Sequence, residues 1–149
     1  MGLRPFHLAF PVHDLALAKT FYTTVLGCTV GRQHPDSCVF NFQGHQIVAH
    51  LVDRMPSHAT NGVDGHAVPS MHFGLVMEWR AWHELRDQWE QAEQVFALGP
   101  YTRYAGLPGA QATMFIRDPS GNHLEFKSFK NEQMLFNQSL EHSDGSQRR

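Results

Sequence analysis

Apolar and polar residues alternate through the opening segment FHLAFPV, Phe6 to Val12. Phe6, Leu8, Phe10 and Val12 share one face, and His7, Ala9 and Pro11 share the other. That is the pattern of a half-buried strand. The period then becomes helical. Ala18, Phe21, Tyr22, Val25 and Leu26 form one stripe, with Asp14 placed to cap the helix and Gly27 to stop it. Strand-like runs follow near 28–31, over 37–42, and in GHQIVAHLV after the turn at Gly44.

Residues 53–70, DRMPSHATNGVDGHAVPS, lack an apolar period and are rich in turn formers. They predict a long connection, and such a connection inside a compact domain is usually a lid or a linker. The strand pattern then restarts in MHFGLVM, Met71 to Met77. Trp82, Leu85, Trp89 and Ala92 mark a second helix, and Gly99-Pro100 ends that region. QATMFIRD predicts a strand, DPSG a turn, and HLEFKSF a last strand.

Each half therefore reads strand, helix, then two or three strands. The starts align as FHLAFPV with MHFGLVM, and the ends loosely as GHQIVAHLV with GNHLEFKSF. This is an internal duplication of a βαβββ unit. The expected fold is α+β, two βαβββ modules in tandem forming a cup-shaped mixed sheet. One domain is expected over residues 1–140, with modules at about 5–52 and 71–130 joined by 53–70. The polar tail, 141–149, is expected to be disordered.

Composition narrows the class of function. The chain of 149 residues is 42% hydrophobic and 17% charged, as globular proteins are. A formal net charge of -2 gives no reason to expect a nucleic-acid partner or an anionic membrane surface. No apolar run approaches the roughly 20 residues of a membrane span. Two cysteines without a CxxC motif form no disulfide framework, so a cytoplasmic location is expected. The unusual count is 11 histidines.

Four ionisable residues interrupt strand-like runs at matching places: His7, His50, His72 and Glu125. A carboxylate within an apolar strand is costly unless it is paired, hydrogen-bonded or metal-bound. Glu125 could face a buried Arg or Lys, or it could share an ion with the histidines. Two imidazoles and a carboxylate with other positions open suit Fe(II) or a related divalent ion. A fourth protein ligand tilts such a site toward Zn or Ni and Lewis-acid chemistry. His45 and His123 sit at strand entries, where they can line the mouth of a cup. In the loop YTRYAG, Tyr101, Arg103 and Tyr104 can hold a substrate hydroxyl or carboxylate.

The segments FHLAFPVHDLALAKTFYTTVLG, MHFGLVM and DPSGNHLEFKSF together resemble the vicinal oxygen chelate superfamily. It includes glyoxalase I, type I extradiol dioxygenases, fosfomycin-resistance enzymes and bleomycin-binding proteins. The resemblance spans roughly residues 5 to 130, and within the superfamily is greatest to small extradiol-dioxygenase-like proteins. It implies one divalent metal per chain, with Fe(II) favoured and Mn, Ni or Zn as alternatives. The implied ligands are His7, His72 and Glu125. The fourth position, a Glu in many glyoxalases, falls at or near His50. The gap-free equivalent is Val48, so His50 is a ligand, an acid/base above the metal, or structural.

The function so implied is ring cleavage of a small aromatic diol, with His50 and then Tyr104 as proton-moving groups. A glyoxalase-like isomerase is the alternative, and a non-catalytic drug-binding protein the second. A homodimer is expected from the resemblance alone.

Overall fold

The computed structural model describes residues 2–138; the expected disordered tail lies outside the described residues. The chain divides into two compact units. The first runs to His58 and includes Asp118–Asn122; the second takes Ala59–Arg117 and continues from His123. The fold is α+β, with two tandem modules of like topology.

The first unit holds β1 (His7–Val12), α1 (Leu15–Thr24), β2 (Thr29–His34), β3 (Ser37–Phe42) and β4 (His45–Leu51). Its sheet order is β1-β4-β3-β2, with β1 and β4 parallel and the other pairs antiparallel. The Asp14 carboxylate caps α1 by accepting the Leu17 N–H at 2.9 Å. Phe10, Val12, Phe40, Ile47 and Ala49 are buried, as are Ala18, Phe21 and Tyr22 of α1. The Tyr22 ring stacks on Phe40 at 5.1 Å and meets Phe10 at 5.2 Å. The other sheet face carries His7, Asn41 and Gln46, all exposed.

Residues 118–122 pack into this unit through Asp118, which is 5% exposed. Its Oδ1 accepts the N–H groups of Ser120 and Asn122, both at 2.9 Å. Its Oδ2 accepts the Tyr22 hydroxyl at 2.9 Å and Asn122 Nδ2 at 2.8 Å. Asn122 Nδ2 also donates to the Pro11 carbonyl at 2.8 Å. Burial first, then the Asp118 carboxylate, pushes the Tyr22 phenol well above its ordinary range.

The second unit contains β5 (Thr60–Val63), β6 (His66–Pro69), β7 (Phe73–Met77), α2 (Trp79–Gln91), β8 (Leu98–Arg103), β9 (Gln111–Arg117) and β10 (His123–Phe129). The sheet order β7-β10-β9-β8 repeats that of the first unit. Trp82 and Trp89 of α2 are buried, and Trp82 Nε1 donates to the Phe126 carbonyl at 2.8 Å. Gly74 pairs with Glu125, and a Cβ at Gly74 would overlap the Glu125 carbonyl oxygen. Only glycine lets the two backbones approach so closely.

Two expectations need correction. Residues 53–70 do not form a structureless connection, because β5 and β6 pair as a hairpin over residues 60–69. Asp64 and Gly65 both take positive φ at its turn, the geometry that a two-residue hairpin demands. Val68 of the hairpin packs against Leu98 and Phe115. The segment from Leu98 is likewise a strand, not the end of a structured region. Its pairing with β9 shifts register between Leu98 and Tyr101, around Gly99-Pro100. Tyr101 and Arg103 therefore stand on a strand, and Tyr104 follows it with φ 53°.

Candidate metal centre

His72 immediately precedes β7, and Glu125 lies in β10, which pairs with β7. His72 Nε2 lies 3.3 Å from Glu125 Oε2. The two side chains are 24% and 18% exposed, shielded but still reachable from solvent. A cleft of about 250 Å3, lined by both residues with Gly74, Val76 and Lys127, opens at this point.

The imidazole is oriented by its other nitrogen. His72 Nδ1 lies 2.8 Å from the Pro69 carbonyl, at the end of β6. A carbonyl only accepts, so Nδ1 carries the hydrogen. In the neutral ring Nε2 then presents its lone pair to a carboxylate oxygen. Two acceptors at that distance need a cation between them, and either a proton on Nε2 or a metal ion meets the need. A ligating histidine that gives its second N–H to a carbonyl is the usual arrangement at metal sites. The donor set fits a divalent ion.

Glu125 is held as well. Thr113 on β9 donates its hydroxyl to Glu125 Oε1 at 2.8 Å, which leaves Oε2 toward His72. Lys127 Nζ is 3.8 Å from Oε1, a distant contact, so Glu125 is not simply the partner of a lysine. The Phe115 ring meets the His72 ring edge-on at 5.3 Å.

Sequence pattern missed Thr113. Gln111 to Ile116 are all buried, so no alternation reveals which face each side chain takes. Thr113→Val keeps the shape and removes the hydroxyl. It is expected to weaken Zn(II) affinity by about 10–100-fold in a chelator competition, with Thr113→Ser close to wild type. Unchanged affinity in Thr113→Val would remove Thr113 from the site.

His7 and His50 belong to the first unit. His7 Nδ1 lies 2.7 Å from Gln46 Oε1, so it too carries its hydrogen on Nδ1 and leaves Nε2 available. The register matches the modules residue by residue. Ala9 pairs with Val48 as Gly74 pairs with Glu125. Val48 therefore occupies the place equivalent to Glu125, and the first unit offers no carboxylate there. His50 pairs with Pro11, and Val76 pairs with Lys127, so His50 matches Lys127. It stands four residues along β4 from Gln46, the partner of His7, or about 13 Å of strand. Among the described residues no group of three or more His, Cys, Asp or Glu side chains is assembled to hold an ion. The structure's own contribution is the His72–Glu125 pair.

Tyr104 lies just past β8, where its hydroxyl accepts from Arg103 Nη2 at 3.4 Å. Tyr101 is tied elsewhere. Asp64, in the hairpin turn, accepts the Tyr101 hydroxyl at 2.5 Å and Arg103 Nε at 2.9 Å. Burial first, then the hydrogen bond to Asp64 and its charge, pushes the Tyr101 phenol up to about 12. A phenol raised in the fold adds stability that is fully present below pH ~10 and is lost as pH rises through the folded value. The absorbance difference at about 295 nm between wild type and Tyr101→Phe should therefore stay flat to about pH 11. Ionisation near pH 10 would show that the Asp64 contact does not hold in solution.

No helix among the described residues is long and apolar enough to cross a membrane. Residues 4–126 match the profile of the Glyoxalase/Bleomycin resistance protein/Dioxygenase superfamily. A glyoxalase/bleomycin resistance protein/dioxygenase from Alicyclobacillus acidocaldarius is 34% identical, with 89% of this chain and 96% of that one covered and a TM-score of 0.75. The fosfomycin resistance protein FosX from Listeria monocytogenes shares the fold at 14% identity, covering 91% and 100% of the two chains, with a TM-score of 0.65. Lactoylglutathione lyase from Agrobacterium tumefaciens shares it at 19% identity, 85% and 94% coverage and a TM-score of 0.61. No curated protein matches the chain. With a match over most of its length and two like modules, the chain belongs to the glyoxalase/bleomycin resistance protein/dioxygenase superfamily.

Proposed function

We propose that the protein is a divalent-metal-dependent enzyme that cleaves the ring of a small aromatic diol, with Fe(II) held by His72, Glu125 and His7. The observation that carries this reading is the Nε2 lone pair of His72 aimed at Glu125 Oε2, with Nδ1–H fixed on Pro69. His7 enters as the third ligand on the resemblance of its position to that of His72, and its own Nδ1–H is likewise occupied. When bound, the ion supplies open coordination positions for a vicinal diol and the redox chemistry of ring cleavage.

The protein's own groups orient the substrate and move its protons. Thr113 keeps Glu125 in one rotamer, and Phe115 limits water around His72. His50 and Tyr104 are the proposed proton-moving groups. Tyr104 accepts from Arg103, which leaves its own O–H free to donate. Val48 at the place equivalent to Glu125 favours a two-histidine, one-carboxylate set over the four-ligand set of a glyoxalase-like isomerase.

The test is oxygen uptake by the Fe(II)-reconstituted chain with substituted catechols, beside hemithioacetal isomerisation by the Ni(II) and Zn(II) forms. Oxygen uptake with a yellow ring-cleavage product is expected. Isomerisation without oxygen uptake would replace this reading with the lyase.

A further inference from the structure

The first unit has a cleft of about 660 Å3, lined by His7 and by Arg4, Asn41, His45 and Gln46. That volume suits a small organic ligand. The hydrogen bonds around it fix which atoms remain free. His45 Nδ1 accepts the Phe6 N–H at 2.9 Å, so in the neutral ring the hydrogen sits on Nε2, which is a donor. Asn41 Oδ1 accepts the Gly44 N–H at 2.7 Å, which leaves the Asn41 amide NH2. Gln46 Oε1 is engaged by His7 Nδ1, which leaves the Gln46 amide NH2. Arg4 adds a guanidinium, and no acidic residue lines the cleft. The Asn41, His45 and Gln46 acceptors are engaged within the wall, so these three side chains present donors beside the Arg4 guanidinium, with His7 Nε2 as an acceptor among them.

We propose that this cleft is a binding site for an oxyanion, namely the carboxylate of a small substrate. Arg4 provides the charge, and Asn41, His45 and Gln46 provide neutral donors. Val30 and Val39 supply apolar wall for the body of the ligand. A planar carboxylate can take two parallel N–H donors from one guanidinium, which gives direction as well as attraction. Assigning this anion to the substrate rests on the metal-enzyme reading, because His7 lines the same cleft. The preferred substrate is then an aromatic diol that bears an acidic side group, not a neutral catechol.

Isotope-labelled full chain, stripped of metal with a chelator, is titrated with benzoate, benzamide and inorganic phosphate and followed by NMR. Without metal, no carboxylate can bind through an ion, and failure of the metal reading leaves the result intact. Benzoate is expected to shift the amides of Asn41, Gly44 and Gln46 and to bind about 10-fold more tightly than its neutral isostere benzamide. Arg4→Gln should abolish that preference, and Arg4→Lys should restore part of it. Phosphate that displaces benzoate with the same shifts supports an oxyanion site indifferent to the organic body. Benzoate that phosphate does not displace supports a site for an organic carboxylate. Equal binding of benzoate and benzamide, or a preference that survives in Arg4→Gln, would overturn the proposal.

Discussion

Glu125→Gln is expected to weaken divalent-metal affinity by at least about 100-fold and to abolish metal-dependent turnover. The substitution preserves the size of the side chain and its hydrogen bond from Thr113. It removes the negative charge that faces His72 Nε2 at 3.3 Å. Loss of an outer partner of a metal ligand already costs about 10–100-fold, and loss of the ligand's charge exceeds that. Co(II) titration followed by visible absorption reads the affinity directly. The fold should survive, because His72 keeps its bond to the Pro69 carbonyl and Gly74 keeps its contact with the Glu125 backbone. Affinity within about 3-fold of wild type would show that the pair is an imidazolium–carboxylate ion pair and not a half-built metal site.

Asp118→Ala is expected to cause the largest loss of stability. The carboxylate is buried and accepts from two backbone N–H groups, the Tyr22 hydroxyl and Asn122 Nδ2. Hydrogen bonds to a charged group are worth about 1.5–3 kcal/mol each, and a buried donor left unsatisfied costs about 1–3 kcal/mol. Tyr22 has no exposed surface, so water cannot replace the lost acceptor. These terms overlap, and a net loss of about 3–5 kcal/mol is expected. For a chain of this length that lowers Tm by roughly 10 °C. Asp118→Asn keeps one acceptor oxygen and should lose about half as much. Urea and thermal unfolding followed by circular dichroism check both variants. A loss below about 1 kcal/mol for Asp118→Ala would mean that the network contributes little.

Much of this architecture was legible in the sequence wherever one sheet face is buried and the other open. FHLAFPV alternates because Phe10 and Val12 are buried while His7 on the other face is exposed. The DPSGN turn was legible from Pro119 and Gly121, and Gly121 does take φ 86°. The hairpin at residues 60–69 was not. Its strands are short, Val68 is its one buried residue, and its polar tie is Asp64 with Tyr101 and Arg103. No periodicity announces such a segment. The strand Leu98–Arg103 was hidden by Gly99-Pro100, which sits where its register shifts.

The site was legible in part for the same kind of reason. His72 and Glu125 stood out as ionisable residues among apolar ones, and the fold brings them together. His50 stood out equally, yet the register puts Val48 at the matching position. The gap-free alignment already pointed to Val48 at that place, and the strand pairing agrees with it. Thr113 and the Pro69 carbonyl could not be found by pattern, since one is an unremarkable buried residue and the other a backbone atom.

The most direct test of the central claim is metal content per chain, measured by elemental analysis of anaerobically purified wild type, His7→Ala and His50→Ala. About one Fe or Mn per chain is predicted for wild type and His50→Ala, with most of it lost in His7→Ala. A wild-type chain that takes up no metal after reconstitution, or a His7→Ala chain that keeps its metal, would contradict it.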